Sequence, residues 1–153
     1  MLDNRRKLLK GLLGATAVLS AALMIPKIAF AKWSKAFDAE TTESAMTGMF
    51  NSTKTTASDK IYLKVPEIAE NGAVVPVNVK TDIENVKSIS IVGFKNPQPL
   101  ACSFTIPEGT DSDVSIRIRL FETMDVQAIV ETHDGKLFSV QKEVKVTIGG
   151  CGG

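Results

Sequence analysis

Two thiols are the reactive side chains of this sequence, and they stand in unlike surroundings. Cys151 lies in the closing run "VTIGGCGG", with Gly149 and Gly150 before it and Gly152 and Gly153 after it. Each glycine loses more backbone freedom on ordering than any other residue, so a cysteine bracketed in this way is presented, not packed. Cys102 sits in "LACSFTI", alternating with Leu100, Phe104 and Ile106. That period places it on the inward side of a strand, where a free cysteine is at home. The other candidates are sparse. The single histidine, His133, adjoins a turn and reads as a solvated surface residue, and Glu67, Glu70 and Glu84 are scattered near loops without partners. No set of donors has metal-ligand spacing, so neither a metal nor another cofactor is expected.

A thiol that activates itself needs a cation, a histidine or a helix N-terminus beside it. The tail around Cys151 contains none, and the carboxylate of Gly153 opposes thiolate formation. At about 3.3 to 3.6 Å per extended residue, Gly149 to Cys151 carry the sulfur roughly 10 Å beyond the last strand. With hydrogen as the side chain on both sides, such an arm is thin enough to enter a narrow active site of another protein. Residues 149–153 are therefore expected to be a flexible arm that delivers a thiol, and no residue of the chain is expected to be catalytic.

The elements that must hold this arm are mostly strands. Runs at 61–65, 73–80, 86–92, 100–106, 114–120, 125–132 and 137–148 have β-type composition, with breaks at Asn71-Gly72, Asn96-Pro97, Pro107 with Gly109, and Asp134-Gly135. About seven strands at this spacing predict an all-β, immunoglobulin-like β-sandwich over residues 61–148. The Asp134-Gly135 pair predicts a hairpin between the last two strands. In 114–120, Val114, Ile116, Ile118 and Leu120 face one way and Ser115, Arg117 and Arg119 the other. The run "AVVPV" is apolar on both faces, and Pro76 within it predicts an edge or bulge position. A partner's surface is accordingly expected near Ala73 to Val79. Residues 32–60 read as a short amphipathic helix, with Trp33, Ala36, Phe37, Ala45, Met46, Met49 and Phe50 at helical spacing and Thr41 or Thr42 as its cap. A polar linker follows.

Ahead of this domain, residues 1–31 carry Arg5, Arg6, Lys7 and Lys10, then an uncharged apolar run from Gly11 to Ile25 and an Ala29-Phe30-Ala31 close. The run is short for a membrane span, which needs about 20 residues. A cleaved export signal is expected, the alternative being an uncleaved anchor. The paired arginines ahead of "KLLK" are similar to a twin-arginine signal, although Asn4 and Leu8 depart from its consensus. Such signals export folded proteins, often with a partner. The whole chain has 18 Lys+Arg, 17 Asp+Glu and one His; without residues 1–31 it keeps 13 cations and 16 anions, a net charge of −3. That balance excludes a nucleic-acid-binding surface, and no membrane association is expected after cleavage.

The terminal "VKVTIGGCGG", with "KVPEIAENGAVVPVNV" and "NPQPLACSFTIPEG" upstream, resembles the SoxY family, sulfur-carrier subunits of the bacterial Sox thiosulfate-oxidising system. The resemblance implies an immunoglobulin-like fold, a heterodimer with a SoxZ-like subunit, and twin-arginine export of the pair to the periplasm. It implies that Cys151 is the covalent attachment point for thiosulfate-derived sulfur. It further implies service to a cytochrome, a sulfate-releasing hydrolase and sulfane-oxidising enzymes. It assigns nothing to Cys102. Two other readings of the tail stay open at this level: a structural module joined by an interchain disulfide through Cys151, and a carrier using a C-terminal thiocarboxylate. The second needs ATP, which an exported protein lacks.

Overall fold

The structure, a computed structural model, describes residues 35–147. The proposed signal, Trp33 and the arm with Gly149, Gly150, Cys151, Gly152 and Gly153 lie outside the described residues.

The predicted single helix is two pieces. A 3-10 turn, Lys35–Asp38, precedes the helix α1, Thr42–Phe50. Thr41 is the cap: its Oγ1 accepts the Ser44 N–H at 3.2 Å, and Asn51 closes the other end with φ 55°. Gly48 allows the two pieces to touch, because a Cβ there would stand 3.3 Å from the Ala36 Cα.

Among the described residues, nine strands follow. All seven predicted runs are present: β2 (Ile61–Lys64), β4 (Val75–Thr81), β5 (Val86–Gly93), β6 (Leu100–Thr105), β7 (Asp113–Ile118), β8 (Met124–Thr132) and β9 (Leu137–Val146). Two further strands of two residues each are β1 (Thr56–Ala57), inside the stretch read as a linker, and β3 (Ile68–Ala69). They form two sheets, one ordered β1-β9-β8-β5-β6 with β3 also on β9, the other ordered β2-β4-β7. This is an immunoglobulin-like β-sandwich.

Alternation builds its core. Val75, Val77 and Val79 of β4 and Ile118 of β7 meet Ile89 and Ile91 of β5 and Val126, Ala128 and Val130 of β8, all buried. The two central strands β5 and β8 are buried on both faces. Their outward residues Val92 and Ile129, with Leu100 and Leu137, pack beneath Ala36, Ala45 and Met46 of the helical segment. Hence the helix caps the outer face of the large sheet. Outward serines that it leaves are paired: Ser90 donates to the Ser103 hydroxyl at 2.8 Å, and Ser139 shares a 2.8 Å hydrogen bond with Thr55. Among the described residues, no buried polar side-chain atom lacks a partner.

One expectation fails. As a strand β4 is central, between β2 and β7, with Val75, Val77 and Val79 inward and Pro76, Asn78 and Lys80 outward, so the run is one-sided beyond Val74 and Pro76, while Pro76 itself stands at a locally unpaired position. Pro76 is accommodated because the β2 ladder ends at the Lys64–Asn78 pair, leaving this part of β4 paired only with β7. Of the apolar residues between Ala73 and Val79, Val75, Val77 and Val79 belong to the core, whereas Val74 and Pro76 are exposed.

Candidate functional site

The described part of the site is the root of the arm. Strand β9 runs to Val146, and β3 grips its last turn of pleat in parallel, Ile68 beside Lys145 and Ala69 beside Val146. Lys145 N–H donates to the Glu67 carbonyl at 3.0 Å and Thr147 N–H to that of Ala69 at 3.1 Å. From the opposite side the Thr123 hydroxyl accepts the Val146 N–H at 3.0 Å, and the Thr147 hydroxyl donates to the Glu70 carbonyl at 3.2 Å. The backbone is thus bonded on both sides as far as Val146, and Thr147, four residues before Cys151, is held on the β3 side through Ala69 and Glu70.

The loops around this root are braced to one another. Asn96 donates from Nδ2 to the Arg119 carbonyl at 2.8 Å and accepts the Phe121 N–H at 3.2 Å, joining the β5–β6 and β7–β8 connections. Gly93 makes room for this bracket: a Cβ there would come within 3.0 Å of the Asn96 amide and 3.2 Å of the Met124 sulfur. Lys95 donates to the Thr123 carbonyl at 3.2 Å and lies 3.3 Å from Glu122. Leu120 N–H donates to the Gly72 carbonyl at 2.7 Å, and Asn71 Oδ1 accepts the Ala73 N–H at 2.8 Å, so the β3–β4 connection is tied in as well.

The other thiol is placed differently. Cys102, opposite Ile91 in the β5–β6 ladder, is half-buried against the core and free. Burial pushes its thiol up to about 11, with a backbone hydrogen bond from Ile91 pulling weakly the other way. It is a poor nucleophile near neutral pH. His133 is exposed beside the β8–β9 turn, as the sequence indicates, and its N–H donates to the Asn85 carbonyl at 3.0 Å. Glu67, Glu70 and Glu84 are exposed too. The use of Glu67 and Glu70 as backbone acceptors for β9 carries no side-chain signature, so residue types do not reveal it. No three His, Cys, Asp or Glu among the described residues come together as metal ligands.

Among the described residues, Cys102, His133, Glu67, Glu70 and Glu84 are not gathered into one cluster. What the structure does bring together at one end of the sandwich is β3, the end of β9 and the braced loops. Comparison with known proteins bears on what leaves from there. A family model described as "Sulfur oxidation protein SoxY" matches residues 46–151. The solved structure of the sulfur carrier protein SoxY from Chlorobium limicola f thiosulfatophilum is 40% identical with a TM-score of 0.61, covering 68% of this chain and 94% of that one. A superoxide reductase (neelaredoxin) from Ignicoccus hospitalis aligns at 16% identity and TM-score 0.53, covering 60% of this chain and 94% of that one. A putative superoxide reductase from Thermotoga maritima aligns at 13% and 0.53, covering 60% and 93%. These last two share the fold alone. No curated protein matches the sequence.

Proposed function

The chain belongs to the SoxY family, and from that premise we propose that it carries sulfur intermediates of thiosulfate oxidation covalently on Cys151. Family membership itself supports a sulfur-carrier role in sulfur oxidation and a partnership with SoxZ and the Sox system. The observation that supports the finer reading is that the family match runs to residue 151 and so takes in Gly149, Gly150 and Cys151. The sandwich offers no competing thiol, because Cys102 is half-buried and its thiolate is disfavoured.

The chemistry follows from a thiol that other proteins activate. Joining thiosulfate to the Cys151 thiolate forms a sulfur–sulfur bond and releases two electrons, which a cytochrome partner accepts. Water then attacks the terminal sulfone sulfur, so that sulfate leaves with two protons released and the sulfane remains on Cys151 as a persulfide. A sulfane-oxidising enzyme acts on that persulfide. In each step this chain supplies an attachment atom and a tether, and the partner supplies the catalysis. Gly149 and Gly150 on one side and Gly152 and Gly153 on the other serve as swivels. Export to the periplasm by the twin-arginine route, together with a SoxZ-like subunit, completes the proposal.

Replacing Cys151 with Ser tests it. Thiosulfate-dependent sulfate formation in the reconstituted system is expected to fall to background, with folding and subunit pairing unchanged. Retained sulfate formation by Cys151→Ser contradicts it.

A further inference from the structure

The sandwich is closed along one side and open along the other. On the closed side β2 lies against β9, which also carries β1 and β3. On the open side β6 ends the large sheet and β7 the small one, and among the described residues neither has a strand beyond it. Thr81 N–H donates to the Ser112 carbonyl, and backbone pairing alternates along an antiparallel ladder, so Ser115 and Arg117 of β7 aim their backbone groups away from β4. Burial marks the same opening. The inward side chains of these two strands, Cys102, Phe104, Val114 and Ile116, are only half-buried, whereas the inward valines and isoleucines of β4, β5 and β8 are buried.

A cavity of about 530 Å³ opens in this seam, lined by Leu100 and Ala101 of β6, Ile116 of β7 and Phe121 beyond it. Phe37 of the 3-10 turn stands in its wall as well. That turn is the first described element, so the chain enters the fold at the cavity. Two residues ahead of Lys35 comes Trp33, the one tryptophan of the sequence, with its Cα no more than about 7 Å from that of Lys35. A tryptophan buries about 150 to 250 Å² of surface and, once buried, needs a partner for its N–H. The open edge of β7 offers backbone carbonyls for that bond. Arg117 and Arg119, which also line the cavity and have no ion-pair partner among the described residues, offer cations for the ring face. Arg119 already stands over the Phe121 ring, 5.8 Å from its centroid.

We propose that the segment just ahead of the 3-10 turn straps across this open side, with the indole of Trp33 seated in the cavity between β6 and β7. The occupant is a piece of this chain, close enough to reach the cavity and carrying the one large aromatic side chain outside the described residues that starts beside it. The strap gives the half-buried Ile116 the cover that its sheet lacks. It also stands across the unpaired edges, which would otherwise be open to pairing with another chain, and over the gap between the sheets into which Cys102 points, keeping that thiol from small reactive sulfur species. The proposal is independent of the carrier reading of Cys151.

The test uses the full chain, whose tryptophan fluorescence comes from Trp33 alone. In the folded protein the emission is expected at shorter wavelength than in the urea-unfolded chain, with quenching by acrylamide several-fold weaker. Ala101→Phe fills the cavity from β6 and should return both readings to those of the unfolded chain, while circular dichroism keeps the native strand signal. Ile116→Phe fills the same cavity from β7 and takes its place if Ala101→Phe does not fold. Wild-type quenching as strong as in the unfolded chain overturns the strap. Protection that survives the filling substitution overturns it too, since the indole is then shielded elsewhere. So does protection lost on dilution as a dimer dissociates, because the cavity then belongs to a second copy.

Discussion

Cys102 stands opposite Ile91 in the β5–β6 ladder, and the same half-burial that packs it against the core raises the cost of its thiolate. The consequence can be measured. In the unfolded chain the thiol returns to its ordinary value of 9.0, whereas in the folded chain it is pushed up to about 11. Below pH 9 both states keep the proton and the full contribution to stability is present. Between pH 9 and about 11 the unfolded chain loses a proton that the folded chain retains, so stability falls as pH rises through that window. The loss is on the order of 2 kcal/mol. Urea titrations of wild type and Cys102→Ala at pH 8 and pH 11 should show the difference between them change by about that amount, with the wild type losing more. A pH-independent difference contradicts the assignment. The alternation of Cys102, Phe104 and Ile106 made the inward placement of Cys102 legible in the sequence, but Leu100, read in the same register, falls on the outer face across the irregularity at Ile91/Val92, and half-burial at an edge strand depends on neighbours that a single run does not contain.

At the scale of elements, the seven longer strands were readable as short runs of β-type composition bounded by turn residues, with period-two burial plainest in β2 and β4 and lost in β5 and β8, which are covered on both faces. Gly135, with φ +80°, closes the β8–β9 turn as its Asp-Gly pair predicts, and Thr132 and Lys136 both hold Asp134. Those contacts keep the Asp134 carboxyl low, near 2, the Lys136 bond being the larger cause and the Thr132 bond the next. Because nothing lies within 4 Å of a Cβ built at Gly135, Gly135→Ala introduces backbone strain without a clash. It should lower unfolding stability by about 1 kcal/mol in urea titration. Thr41→Ala removes the α1 cap and should cost about 1 kcal/mol; no loss in the same assay would show that the capping bond does not stabilise the helix. The strands β1 and β3 were not legible. Each is two residues long and exists only as a parallel partner of β9, far along the chain, so no local pattern marks it. Pro76 marked its own position but not its strand: β4 is central, yet β2 stops short of the proline and leaves it paired on one side only.

For the molecule as a whole, the proposed reading makes the sandwich a fixed base for a thiol that partner proteins activate. The helix closes the outer face of the large sheet, β1 and β3 cover β9, and the connections at the arm end are cross-bonded through Asn96 and Gly72. The proposed carrier reading requires movement only beyond Thr147, where glycine is the prevailing residue. Composition reads the tail as a presented cysteine, an expectation that lies outside the described residues, and the family match to residue 151 supports the proposed role. The grip on its root was hidden, because Glu67, Ala69 and Glu70 contribute backbone carbonyls. The central claim is that Cys151 carries the sulfur. Intact and peptide mass analysis of the wild-type protein, taken during thiosulfate oxidation by the reconstituted system, tests it most directly. The account predicts sulfane and thiosulfonate additions on the peptide containing Cys151, removed by reductant, with the Cys102 peptide unmodified. Turnover of thiosulfate to sulfate with no addition at Cys151, or with the addition at Cys102, would contradict it.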